Sequence, residues 1–138
     1  MGQRIDQFRE TLRIKLASVD SGLKDIKAKI DKKAEQAEQD VRSHLDSLQG
    51  RIKQDHKKVL AAKAEVEDWM ESRKDDTDAK IEKWKTKHET SKLQKRADKA
   101  EEYAAAAIVL ALAAVDEAEE ATLEAYLARQ DADAVQAE

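Results

Sequence analysis

Apolar residues recur every three or four positions from Ile5 to Trp84. The stripe runs through Phe8, Leu12, Leu16, Val19, Leu23, Ile26, Ile30, Ala34, Ala37, Val41, Leu45, Leu48 and Ile52. It continues less regularly through Val59, Val66, Met70, Arg73, Thr77, Ile81 and Trp84. Steps of this size put the side chains on one face of an amphipathic helix. Two interleaved series keep a constant step of eleven: Ile26, Ala37, Leu48, Val59, Met70, Ile81, and Phe8, Val19, Ile30, Val41, Ile52. Eleven residues over three turns is about 3.67 per turn, which suits straight or slightly right-handed helix packing better than a left-handed heptad coil.

The stripe crosses Gly22 and Gly50 in phase. Two readings of "SLQGRIKQ" follow: Gly50 lies inside a continuous helix, or it is the left-handed cap that ends a first helix. Phase is lost after Trp84. A second stripe starts at Leu93 and passes through Ala97, Ala100, Ala104, Ile108, Ala111, Val115, Ala118, Thr122 and Ala125. The intervening "KTKHETSKLQ" holds a T-x-x-E capping box at Thr86–Glu89, with Thr90 and Ser91 as rival N-caps. The pattern predicts a helix over about 3–88, split at Gly50 or unbroken, a turn, and a helix over about 90–130 before a frayed 131–138.

The expected fold is all-α: one domain over 1–138, an elongated antiparallel helical bundle or coiled coil. It is either a long helical hairpin or a three-helix up-down-up bundle, self-associating in both cases. Composition agrees. Proline is absent, there are three glycines, and aromatics make up 4% of a chain that is 41% charged, a long-helix profile. No period-2 run suggests a strand.

Charge is unevenly spread. Residues 97–138 carry two bases against eleven acids, whereas the rest of the chain is mildly basic. Within the acidic part, Ala104 to Val115 is an unbroken run of twelve apolar residues closed by Glu101, Glu102, Asp116 and Glu117. A membrane-spanning helix needs about 20 apolar residues, so this run is too short. A helix apolar on every side is expected at the centre of an assembly. The other reading is a surface that awaits a partner.

The absence of cysteine excludes disulfides and thiol chemistry. "MGQRIDQFRETLRIKL" holds no uninterrupted apolar stretch of signal-peptide length, and a cytoplasmic location is the expectation. His44, His56 and His88 form no ligand pair at helical spacing, so neither a metal nor a cofactor is expected. Asp75, Asp76 and Asp78 lack the glycine and terminal glutamate of a calcium loop, which leaves a solvated face or a fraying turn. No phosphate loop or nucleophile motif is present, and an enzyme is not expected. Bases and acids interleave over 51–96 without a uniformly basic face, which makes nucleic acid an unlikely partner. Trp69, Met70, Ile81 and Trp84 follow the stripe and are either core anchors or a docking surface. With Ile108, Leu110, Leu112 and Val115 they form the candidate interaction surface.

Eleven-residue amphipathic repeats rich in Ala, Lys and Glu over roughly 5–84 resemble apolipoprotein-type lipid-surface helices. They are also similar to those of desiccation-protective late-embryogenesis proteins. The resemblance rests on periodicity and composition and carries no diagnostic motif. Bulky Ile, Leu and Val at the repeat positions, with two Trp, favour a packed core instead. Lysines are not concentrated at the polar–apolar boundary as a lipid-surface helix prefers. The expected function is a non-catalytic structural or scaffolding protein acting through protein contacts, as a homo-oligomer or with another protein. The alternative is a protein that coats a lipid or granule surface through 103–115, and a stress protectant ranks third.

Overall fold

The computed structural model describes residues 3–33 and 35–136. Ala34 of the stripe and the last two residues of the predicted tail lie outside the described residues. The fold is an all-α helical bundle, with four helices among the described residues: α1 (Gln3–Asp31), α2 (Ala37–Asp75), α3 (Asp78–Thr86) and α4 (Thr90–Gln136). Among the described residues there is no strand.

Gly50 lies inside α2, so the helix-end reading of "SLQGRIKQ" is corrected. The first helix instead ends at Asp31, and the second begins at Ala37. Lys33, at φ 52°, takes the left-handed position that glycine usually fills, and its N–H donates to the Ile30 carbonyl at 3.0 Å. The stripe hides this break because both helices must turn an apolar face to one core. Ile26, Ala37, Val41 and Leu48 are all buried on the two sides of the turn. Continuity of phase is therefore not continuity of helix.

The long first segment breaks again after Asp75. The Thr77 side chain caps α3 by accepting from the Lys80 N–H at 3.3 Å, and Asp78 places negative charge on its first turn. The acid cluster at 75–78 is thus a helix junction. The turn read at 86–90 is present, with different chemistry. Thr86 ends α3, and its hydroxyl donates back to the Glu82 carbonyl at 2.8 Å rather than capping α4. His88, at φ 55°, donates to the Lys85 carbonyl while the Glu89 N–H reaches the Trp84 carbonyl at 2.9 Å. Those two bonds make a Schellman stop with histidine in the glycine position. α4 starts at Thr90 and stays helical through 131–136, where fraying was expected.

The chain divides into two compact units. Unit 2 comprises Leu12–His56 and Leu112–Glu138. Its core joins Ile26 of α1 and Val41, Leu45 and Leu48 of α2 to Leu123 and Leu127 of α4. Leu48, Leu123 and Val41 are fully buried. Lys29 and Asp40 pair at 3.2 Å, tying the end of α1 to the start of α2. Unit 1 comprises Met1–Thr11 and Lys57–Ala111. Among its described residues only the small side chains of Ala62 and Ala106 are fully buried.

A Cβ added at Gly50 meets nothing within 4 Å. Gly50→Ala should therefore stabilise the fold by about 0.5–1 kcal/mol through helix propensity alone. His88→Gly should contribute a similar gain of about 0.5–1 kcal/mol by relieving a left-handed non-glycine residue. Urea titrations read both; a loss of stability at Gly50→Ala would mean that a turn stands there after all.

Candidate interaction surface and the buried charge cluster

In unit 2 the α4 face that meets the core reads Asp116, Glu119, Leu123, Leu127, at steps of three and four. It differs from the Val115, Ala118, Thr122, Ala125 stripe, of which Ala118 and Ala125 are exposed. Two carboxylates therefore enter the bundle: Asp116 is 5% and Glu119 4% exposed. An unpaired charge there would be strongly destabilising. Both are met from neighbouring helices. Lys15 of α1 and Arg51 of α2 pair with Asp116 Oδ1, Arg51 at 3.5 Å. His44 Nε2 lies 3.1 Å from Glu119 Oε2, seven residues and two turns before Arg51 on the same α2 face. Glu119 Oε1 is buried without a hydrogen bond, 3.8 Å from the Arg51 guanidinium.

These groups hold one another, and the cluster links three helices by charge. Among the described residues no group of histidines and acids is arranged to hold a metal ion. The sequence reading missed the cluster because Asp116 looked like the boundary of the apolar run. The available signal was Asp116 and Glu119 standing two turns and one turn before Leu123, with Leu127 a turn beyond it.

Unit 1 holds most of the candidate surface. Trp69 is half-buried and stacks on Tyr103 of α4, ring centroids 5.3 Å apart and planes 16° from parallel. The pair walls a recess of about 220 Å³, shared with Glu65, Asp68 and Ser72 of α2 and with Lys99 and Glu102 of α4. Glu65, Asp68, Trp69 and Ser72 share an α2 face by helical spacing, as Lys99, Glu102 and Tyr103 do on α4. Met70 points outward and is 57% exposed. Ile81 and Trp84 are half-buried on α3.

The junction at 76–77 separates Trp69 from Trp84, so the two are not on one continuous helix as the stripe implied. Trp84 lines a second recess, of about 130 Å³, with Asp76 and with Lys92, Lys95, Arg96 and Lys99 of α4. Lys92 Nζ sits 6.0 Å from its ring centroid and pairs with Glu89 at 3.5 Å. Along residues 51–96 bases and acids interleave, with no uniformly basic face. The fold turns three cations of α4's second and third turns toward Trp84.

Within one chain the apolar run is only partly buried. From Tyr103 to Val115 only Ala106 is buried. Ile108 and Leu110 in unit 1, and Leu112 and Val115 in unit 2, are half-buried. A helix apolar all round cannot cover every side against the helices that flank it, so part of the run stays in contact with water. Among the described residues no helix is long and apolar enough to cross a membrane. Comparison with protein-family models, with curated proteins and with solved structures finds no match to this chain.

Lys15→Met leaves Asp116 buried with only the half-exposed Arg51 head as partner. It should cost about 2–3 kcal/mol, somewhat under the usual penalty for breaking a buried pair. Lys15→Met with Asp116→Leu removes both charges and should recover that loss. Chemical denaturation of the two variants checks this, and equal destabilisation in both would rule out a charge-based cost.

Proposed function

We propose that this protein is a non-catalytic structural or scaffolding protein that works through protein–protein contacts made by unit 1. One observation carries the reading: unit 1 buries only two alanines completely among its described residues. Its large apolar side chains, Trp69, Trp84, Tyr103, Ile108 and Leu110, are only partly covered. Apolar area of this kind gains free energy when a partner covers it, at roughly 25 cal/mol per Å². Trp, Tyr and Met are also the residue types enriched where proteins meet. The buried carboxylates support the non-catalytic side of the reading. Asp116 and Glu119 are out of reach of a substrate and engaged by Lys15, Arg51 and His44.

The coating alternative uses the same run on a lipid or granule surface. Glu101 and Glu102 at its near end oppose an anionic bilayer, which favours the protein-contact reading.

Sedimentation velocity over a concentration series should show assembly of the full chain. Ile108→Glu, which puts a charge at a partly buried position, should dissolve it at a stability cost of about 1–3 kcal/mol, with circular dichroism confirming that the helices persist. An assembly that ignores Ile108→Glu would overturn the use of this surface. Co-flotation with anionic vesicles separates the alternative: a chain that floats with vesicles, and no longer does so as Ile108→Glu, would transfer the run to a lipid surface.

A further inference from the structure

The two recesses of unit 1 adjoin, since Lys99 is a wall of both. Their charges are opposite. Around Trp69 and Tyr103 three carboxylates, Glu65, Asp68 and Glu102, stand against Lys99. Around Trp84 four cations, Lys92, Lys95, Arg96 and Lys99, stand against Asp76. Each recess has an aromatic wall, which offers apolar area and a face for a cation.

Most of these charges are uncommitted within the chain. Among the described residues Glu65, Asp68 and Glu102 enter no ion pair, and neither do Lys95, Arg96 and Lys99. All six are substantially exposed except where they line the recesses.

We propose that unit 1 docks a second copy of this chain, the acidic recess of each copy seated on the basic recess of the other. The inference rests on the protein-contact reading above and names its partner. A polyanion or an anionic bilayer matches the basic recess and is repelled by the acidic one beside it. A basic peptide has the reverse difficulty. The required partner carries both signs side by side, and a second copy does so by construction. A two-fold rotation makes the same contact twice, as isologous interfaces do. Exposed ion pairs contribute little singly. Here they select the partner and its orientation, while the aromatic walls supply apolar area.

The test is a charge swap read by sedimentation velocity on the full chain. One variant carries Glu65→Lys and Asp68→Lys, the other Lys95→Glu and Arg96→Glu. All four positions are exposed, and circular dichroism confirms that the helices persist. The wild-type chain should self-associate, and less so at high salt. Each variant alone should associate at least about tenfold more weakly. An equimolar mixture should restore association, because one variant then offers two basic recesses and the other two acidic ones. Association that neither variant weakens, or a mixture that restores nothing, overturns the proposal. If Ile108→Glu abolishes that association while the swaps leave it intact, the recess docking fails and the protein-contact reading stands. A wild-type chain that stays monomeric at every concentration overturns the docking of a second copy and leaves the protein-contact reading to a different protein.

Discussion

Two carboxylates inside a helical bundle impose the tightest constraint in this protein. Asp116 and Glu119 leave water when unit 2 packs, and the cost of moving a charge into that environment is several kcal/mol per ion. Only specific neighbours offset it: Lys15 from α1, and Arg51 and His44 from α2. An apolar core alone would be more permissive. With Ile, Leu and Val recurring at steps of three, four and eleven, one helix could slide past another and still bury apolar side chains. A slide of one turn would carry Asp116 away from Lys15 and strand it. The charge cluster therefore acts on register more than on net stability, as buried polar groups do in helical assemblies where they select one arrangement.

The rest of unit 2 follows from that alignment. Leu123 and Leu127, one and two turns beyond Glu119, meet Val41, Leu45 and Leu48 of α2 and Ile26 of α1. The bulky, fully buried side chains of the protein lie here. Unit 1 is held differently, by Ala62 and Ala106, the Trp69–Tyr103 stack and an Arg4–Glu101 pair at 3.6 Å. Its larger apolar groups are half-covered, and opposite charges gather in neighbouring recesses around aromatic rings. One unit has a core that completes itself; the other presents the chemistry of a contact surface. That difference, rather than any single residue, is what points to a role in assembly.

The sequence by itself determined the all-α class, because a chain without proline and with apolar residues at steps of three and four can bury them only as helices. It also determined the turn before Thr90, where the stripe loses phase and polar capping residues cluster. The start of α4 is accordingly where the pattern places it, whereas Thr86, read as a cap, belongs to α3. Tertiary structure decided the first reversal. Lys33 adopts a left-handed backbone without glycine, and an in-phase stripe looks the same whether the helix continues or folds back on a shared core. It also decided which side of α4 faces inward. Ala104 to Val115 is apolar all round, so hydrophobicity has no preferred face there, and the choice passes to Asp116 and Glu119 and to partners 65 to 101 positions away. The recesses were equally illegible, because charges that interleave along the chain separate into acidic and basic groups only when α2, α3 and α4 bring distant turns together.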